Sequence, residues 1–292
     1  MSRTAEHDPR AQRIMLAEVR RRRRLRRREI ALAILTPTLA LTAWQCAAQT
    51  GVIDALVFPP PSRILARATG MIASGELLGD LSATVLRLLG GYVPAAVAGT
   101  AVGLGMGAWR LLGAALAPLF TALYALPKIA VLPLLLLIFG LGSTPKILAV
   151  AITVFFVTQI NAQAAMREVD TGALELATAY RVRGGQRFRL VVGPACLPQI
   201  CTGLRVAVGL GVVVAIAVEF VASDEGVGFL IWNSWQLFQP ERMYVGLLTA
   251  ALLGAALTGV VSVGGWLAMP WRRASAAKSV QANPYESKEP SS

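Results

Sequence analysis

Long apolar stretches alternate with short polar stretches along most of the chain. Each apolar stretch is comparable to the ~20 residues that an α-helix needs to cross the hydrocarbon core of a bilayer. The pattern therefore predicts an all-α, polytopic membrane protein with about six transmembrane helices. The predicted spans cover residues 30–49, 86–108, 112–141, 147–163, 203–222 and 245–268.

The composition supports this class. Hydrophobic residues make up 55% of the 292 residues and charged residues only 15%, whereas soluble domains average ~25% charged residues. A soluble protein of this length would need a more charged surface. We predict a basic N-terminal tail over residues 1–29, a transmembrane domain over 30–270 and a disordered polar tail over 271–292.

The net charge of +12 is unevenly distributed. The segment Arg20–Glu29 contains eight arginines and directly precedes the first predicted span. Such a run can bind nucleic acid, but its position favours a topology anchor or a contact with anionic lipid. Arginines are also frequent in the other polar segments on the same side, so the positive-inside rule places both termini and residues 164–202 in the cytoplasm.

The second predicted span has a repeated small-residue pattern. Gly99, Gly103 and Gly107 recur at four-residue intervals, which places them on one helix face. Such a face lets a neighbouring helix approach closely. We predict a helix-packing role, with simple flexibility as the alternative.

The third predicted span is interrupted by Pro118, Pro127 and Pro133, which predict kinks or local unwinding. Lys128 and Glu219 are charges inside predicted spans. Such charges are costly in a membrane and usually face a pathway or a partner. We predict that they pair with each other, or that Lys128 faces an anionic substrate; the alternative is that both side chains reach the outer interface.

Several kinds of chemistry have no residues to support them. The single histidine is His7, and Cys46, Cys196 and Cys201 lack metal-ligand spacing. No GxxxxGK[ST] phosphate loop occurs. The sequence therefore predicts no metal site, no bound cofactor and no catalytic residues.

A charged, helix-interrupting block lies between the fourth and fifth predicted spans. Residues 170–180 have helical periodicity, with Asp170 or Thr171 as a cap. The sequence RVRGG, 181–185, predicts a turn. A second short helix is predicted over QRFRLVV, followed by entry into the fifth span. The expected product is a cytoplasmic helix–turn–helix that docks a partner.

This block resembles the EAA loop of ABC-importer permeases, whose pattern is E-A-A-x3-G-x9-I-x-L-P. Glu175 matches the glutamate, Ala177 the second alanine, and Leu197 with Pro198 the closing pair. Leu176 stands in place of the first alanine. In the family this loop forms a coupling helix that enters a groove on the ATPase, so the resemblance implies an ATPase-coupling role with Glu175 as an ion-pair partner.

The block departs from the family pattern at its turn. Arg181 stands where a glycine is expected, and Ala195 and Cys196 occupy the region of the isoleucine. Gly184 and Gly185 follow three and four residues later. They are expected to help restore the turn, and the departure bears on turn geometry more than on docking.

Other stretches resemble the nitrate/sulfonate/taurine-type branch of these permeases. They are FPPPSRIL, ALPKIAVLPLLLLIFGLGSTPKI and EFVASDEGVGFLI. The resemblance implies a bacterial inner-membrane subunit without enzymatic activity and a small organic or inorganic anion as solute. It also implies a second permease copy, two separate ATPase subunits and a solute-binding protein.

Three alternatives make different demands on the sequence. A secondary transporter, working without an ATPase, would need ion-binding carboxylates or inverted repeats, and the chain has no clear repeat. A membrane enzyme would need a nucleophile–base set or metal ligands. A channel would not explain the docking block.

Overall fold

Helices are the only regular elements in the ranges that the computed structural model describes, residues 9–182 and 184–271. The predicted all-α class is confirmed. The structure divides into two units, residues 1–67 and residues 68–292, which are described separately. The C-terminal tail predicted to be disordered lies outside the described residues, apart from Trp271.

The first unit contains one long helix, α1 (Pro9–Gln49), and the start of α2 (Pro61–Ala73). The described helix has no break at residues 29–30, where the basic tail was expected to end. Its Arg28–Gln49 portion is long and apolar enough to cross a membrane. The leucine and isoleucine side chains of this portion are exposed, as a lipid-facing helix requires.

The second unit is built around three long helices, α3, α6 and α9. Their apolar side chains form a shared core in which Leu88, Val150 and Val218 are fully buried. The helices of this unit are α3 (Glu76–Ala108), α4 (Arg110–Ala125), a 3₁₀ turn (Lys128–Val131), α5 (Leu132–Phe139), α6 (Ser143–Arg167), α7 (Thr171–Ala179), α8 (Gly184–Arg187), a π-helical turn (Phe188–Val192), α9 (Gly193–Ala222), α10 (Val227–Gln236) and α11 (Pro240–Ala268).

Helix α3 lies against α6 along a row of glycines. The row comprises Gly91, Gly99, Gly103 and Gly107. The structure thus adds Gly91 to the three glycines that were predicted to form this face. A Cβ atom added at Gly103 would lie 2.9 Å from Cβ of Ala162 and against the carbonyl of Gln159. Only glycine leaves room for the backbone of α6 at this distance.

The third predicted span is broken rather than continuous. Helix α4 and the segment Lys128–Phe139 meet at an angle of 88°. The break falls at Pro127, and the preceding Leu126 is extended with ψ 131°, because proline disfavours the helical conformation of the residue before it. Pro118 lies inside α4 without ending it. The described chain thus has five candidate spans, or six if the bent pair counts as one.

Helix α3 starts at Glu76, ten positions before the predicted span. The sequence before residue 86 is more polar, but it does not form a loop. Glu76, Asp80 and Thr84 bond to Arg242, Gly226 and Glu219 elsewhere in the second unit.

The fifth span differs more from the prediction. A separate second short helix was expected over 186–192, but the chain is helical from Gly184 to Ala222 without interruption. The turn Phe188–Val192 is π-helical, and the amide of Gly193 donates to the carbonyl of Phe188. This wider turn ends two residues before Pro194. Proline has no N–H, and in a regular α-helix its ring would clash with the carbonyl four residues earlier.

Candidate functional site

Helix α7 is a short, capped helix that follows the end of α6. The carboxylate of Asp170 accepts hydrogen bonds from the amides of Gly172 (3.1 Å) and Ala173 (3.3 Å), so Asp170 is the cap. Ala177 is buried, whereas Glu175 is exposed. Leu176 and Tyr180 are 62% and 80% exposed. A short helix that keeps large apolar side chains exposed beside a carboxylate is typical of an interaction site.

The turn after α7 is made by Arg181 itself. Its φ is +57°, a left-handed conformation that glycine adopts readily and other residues rarely do. The amide of Arg181 donates to Thr178 (3.0 Å) and that of Val182 to Ala177 (2.9 Å), the paired bonds of a Schellman motif. Arg181 therefore adopts a conformation that favours glycine, the residue that the resemblance led us to expect at this position.

Replacing Arg181 with glycine should stabilise the end of α7 by about 1 kcal/mol, because the left-handed strain disappears. Amide hydrogen exchange of residues 177–182 should slow accordingly. Arg187→Gly is the matched control, since Arg187 has φ −59° and glycine weakens a regular helix. Equal exchange rates in wild type and Arg181→Gly would contradict the assignment.

The other residues that were predicted to take part in ATPase coupling lie after this turn, in α8 and α9. Gly184 has φ +55° and begins α8, where Gly185 is exposed. Leu197 and Pro198 were expected to set the angle into the fifth span. They lie half-buried inside α9, which has already begun at Gly193, and their role in setting this angle stays a prediction.

A buried ion pair lies at the other end of α6. Nη1 of Arg87 is 2.9 Å from Oε1 of Glu219, and the two side chains are 5% and 1% exposed. Glu219 also accepts hydrogen bonds from the hydroxyl of Thr84 (2.9 Å) and the amide of Gly228 (2.9 Å). The carboxylate is therefore fully paired in the core, as a buried charge must be.

The same cluster caps the start of α10. The amides of Gly226 and Val227 donate to Asp80 (2.8 Å) and Thr84 (2.8 Å). Side chains of α3 and α9 thus satisfy amides that a helix start leaves unpaired. Gly226 has φ +114°, and a Cβ atom there would lie 2.5 Å from the Glu219 carboxylate, so this position requires glycine.

Arg87 also holds the loop between α9 and α10. Its guanidinium donates to the carboxylate of Glu225 (2.5 Å) and to the Glu225 carbonyl (2.9 Å). Lys146, at the start of α6, donates to the hydroxyl of Ser223 (3.0 Å). Buried cations of α3 and α6 therefore fix this loop in place.

Lys128 and Glu219 are not paired. The ammonium of Lys128 donates to the carbonyl of Tyr124 and lies 4.4 Å from the centre of the Tyr124 ring, while Glu219 pairs with Arg87. The predicted pairing is wrong because Glu219 has a different partner. That partner, Arg87, lies between apolar residues at the expected start of the second span. Its position in TVLRLL was the signal that could have revealed it.

Multiple apolar helical spans, an exposed short helix at one end and buried charges that join helices are the features of a helical membrane protein. The family described as "Binding-protein-dependent transport system inner membrane component" matches residues 95–268, more than half of the chain. The chain belongs to this family of ABC-importer permeases, as its resemblance predicted.

Individual relatives extend the match to most of the chain. SsuC of Bacillus subtilis, provisionally named an aliphatic sulfonates transport permease protein, is 30% identical over 82% of this chain and 87% of its own length. The taurine transport system permease protein TauC of Escherichia coli is 27% identical over 79% and 86%. The riboflavin transport system permease protein RibX of Chloroflexus aurantiacus is 32% identical over 76% and 83%.

Family membership settles the general role. The protein is a multi-span component of the inner membrane, and ATP hydrolysis belongs to a separate subunit. A binding-protein-dependent importer also implies two kinds of partner, an ATPase and a solute-binding protein. The expectation that the chain is not itself an enzyme is confirmed.

Proposed function

We propose that this permease imports a small anion of the sulfonate, nitrate or taurine type. The names of two relatives, SsuC and TauC, support a sulfonate-type solute. RibX, named for riboflavin, is similarly identical, so the solute class is a proposal rather than a property of the family.

Two copies of the chain form the pathway with two ATPase subunits and one solute-binding protein. Both termini and the 164–202 segment lie in the cytoplasm. The charge distribution supports this orientation. The α7 end of the second unit carries the exposed or half-exposed Arg167, Arg181, Arg187 and Arg189. The basic residues at the other end, Arg87, Lys146 and Arg242, are fewer and mostly buried, in agreement with the positive-inside rule.

Helix α7 couples the permease to the ATPase. The observation that carries this proposal is the exposure of Glu175, Leu176 and Tyr180 at a capped helix whose Leu174 packs against the buried cluster of Ala165, Val169, Val192 and Cys196. The two apolar side chains would enter a groove on the ATPase, and Glu175 would pair with a basic residue there. Closure of the ATPase subunits would then move the permeases as rigid bodies.

Glu175→Lys should abolish coupling while leaving membrane insertion normal, because the charge reversal repels a basic partner. We expect solute uptake into proteoliposomes to fall by roughly tenfold or more, the usual scale for a disrupted interfacial charge pair. Glu168→Lys is the matched control, since it makes the same charge change outside α7. Normal ATP-driven uptake by Glu175→Lys would contradict the coupling role.

Lys128 lies on the solute pathway. It follows the 88° break between α4 and the segment Lys128–Phe139, and irregular backbone at membrane depth is tolerated where it is buried in protein or lines a water-filled cavity. Its neighbours Leu126 and Ile129 are about half exposed. An ammonium group at such a break would donate hydrogen bonds to an anionic solute and would balance its negative charge.

Lys128→Met should lower the uptake rate of an anionic solute by roughly tenfold or more, since a hydrogen bond to a charged group contributes ~1.5–3 kcal/mol. Lys128→Arg, which keeps the charge, should retain most of the rate. Initial uptake rates over a series of solute concentrations measure the effect. Unchanged rate and solute preference in Lys128→Met would exclude this role.

A further inference from the structure

A cavity of about 480 Å³ opens between the start of α6 and the loop that joins α9 to α10. Its walls include two basic side chains, those of Arg87 and Lys146, and these residues are 4% and 5% exposed. Two acids, Asp224 and Glu225, also line the cavity, and both are exposed. The cavity therefore has basic groups on its buried side and carboxylates on its solvent side.

The charge of Arg87 is already balanced within the protein. Its guanidinium lies 2.9 Å from the buried carboxylate of Glu219 and 2.5 Å from the carboxylate of Glu225. It also donates to the hydroxyl of Ser143 (3.4 Å). Arg87 therefore shapes the wall of the cavity and holds Glu225 beside it, but its charge is not available to a ligand.

Lys146 is a buried cation of a different kind. Its ammonium donates to the hydroxyl of Ser223 (3.0 Å), and it forms no ion pair within the part of the chain that the structure describes. An ammonium can donate three hydrogen bonds, and a buried charge is costly unless it is paired. The cavity that Lys146 lines has room for the missing negative charge.

The first turn of α6 offers further donors on the same wall. Gly142, at the cap position, and Ser143 both line the cavity. The first amides of a helix have no partner within the helix, and Gly142 has no side chain that could bond to them. The helix dipole also favours an anion at this end. The start of α6 thus adds to the preference of Lys146 for an oxyanion on the buried side.

The solvent side of the cavity favours the opposite charge. Asp224 directly follows Ser223, the residue that accepts from Lys146, so the ammonium and this carboxylate lie at neighbouring positions of the wall. Asp224 has no ion pair among the described residues, and the side chain of Glu225 is 60% exposed beside Arg87. These carboxylates would repel a simple anion, whereas they would attract the cationic end of a dipolar ligand.

We propose that this cavity binds a small zwitterion, with its oxyanion group on Lys146 and the start of α6 and its ammonium group on Asp224. Aminosulfonates and small amino acids have this chemistry. The inference rests on the proposed function for its occupant, a solute that enters the permease at the end opposite α7. It narrows the solute class from small anions in general to solutes that also carry a cationic group.

Three probes separate the two contacts. Taurine carries both charges, ethanesulfonate lacks the ammonium group, and ethylammonium lacks the sulfonate group. The full chain in dodecyl maltoside is titrated with each probe in a calorimeter. We expect taurine to bind roughly tenfold or more tightly than either of the others, because a hydrogen bond to a charged group contributes about that factor. Equal affinity for taurine and ethanesulfonate would overturn the proposal.

Two variants locate the contacts in the cavity. Lys146→Met should weaken binding of taurine and of ethanesulfonate alike, by roughly tenfold or more. Asp224→Asn should weaken binding of taurine only, because ethanesulfonate has no ammonium group to lose. Glu168→Gln, at the α7 end, is the matched control and should bind every probe as wild type does. A folding defect would weaken both probes equally, so an unaltered preference for taurine in Asp224→Asn would refute the assignment.

The headgroup of phosphatidylethanolamine carries the same two charges, so the source of the ligand is tested separately. The taurine titration is repeated in phosphatidylglycerol nanodiscs with and without phosphatidylethanolamine. Equal affinity in both supports a free solute. Affinity that falls by roughly tenfold when phosphatidylethanolamine is present would assign the cavity to a lipid headgroup and would overturn the proposal.

The cavity and the proposed function fail in different ways. Loss of ATP-driven uptake by the wild-type complex would refute the proposed function, whereas the isolated permease would still prefer taurine to ethanesulfonate. Normal uptake by the complex, together with equal affinities for these two probes, would refute only the zwitterion site.

Discussion

Arg87→Met should lower the free energy of unfolding by about 3–5 kcal/mol, the usual cost of removing one partner of a buried ion pair. Glu219 would keep a charge in a position that is 1% exposed, and the loop before α10 would lose its guanidinium contacts. We expect the variant to accumulate poorly in membranes. Thermal unfolding of the detergent-solubilised protein, followed by size-exclusion chromatography, measures the loss.

Two further variants make this expectation specific. Arg87→Met/Glu219→Leu removes both charges and should recover part of the stability, because no unpaired charge is then buried. Glu76→Gln removes the acid of the more exposed pair with Arg242 and should cost less than about 1 kcal/mol. The account would be contradicted if Arg87→Met unfolded at the wild-type temperature, or if Glu76→Gln were equally damaging.

Gly103→Leu should prevent correct packing of α3 against α6. Even the first added carbon would lie 2.9 Å from Cβ of Ala162 and against the Gln159 carbonyl, so the helices must separate. Overpacking of a close-packed core costs ~1–3 kcal/mol and sometimes more. The cost should be larger for leucine than for alanine at this position, because leucine has the larger side chain. The amount of monodisperse protein recovered from membranes reports the defect.

The matched control is two residues away on the same helix. A Cβ atom at Gly105 would meet Leu112 at 3.8 Å and Trp109 at 3.9 Å, which are ordinary contacts. Gly105→Ala should be tolerated or slightly stabilising, because alanine favours helix over glycine by ~1 kcal/mol. Similar recovery of Gly103→Leu and Gly105→Ala would mean that α3 and α6 do not approach closely.

Local patterns in the sequence predicted a large part of this architecture. The apolar stretches located the main spans, and Asp170 was one of two predicted caps of α7. Pro127 was one of three prolines predicted to kink or unwind the third span, and the break falls there because proline restricts the residue before it. The four-residue spacing of glycines pointed to the face of α3 that packs on α6.

The pairing of charged residues that are distant in the chain could not be predicted from local sequence patterns. Glu219 is recognisable as a buried acid, but its partner Arg87 lies 132 residues earlier in the chain. The apolar neighbours of Arg87 in TVLRLL mark it as an unusual charge, but no local rule says which acid it pairs with. The conformation of Arg181 was also hidden, since the left-handed backbone follows from the Schellman turn rather than from the residue type.

The start of α9 shows why short breaker residues mislead. A separate short helix was predicted over residues 186–192, before the fifth span, yet the chain remains helical through a π-helical turn. Packing in the bundle supplies the stability that local propensity lacks. The sequence thus predicted the capped helix α7 but not the way in which the following residues join the fifth span.

The central claim is that α7 is the contact through which a separate ATPase drives this permease. Cross-linking of the intact complex tests it most directly. In a background without Cys46, Cys196 and Cys201, Glu175→Cys and Asp224→Cys place one thiol at each end of the second unit. With a bifunctional reagent, Glu175→Cys should join the permease to the ATPase subunit and Asp224→Cys should not. Cross-linking of the ATPase from Asp224→Cys, with none from Glu175→Cys, would contradict the account.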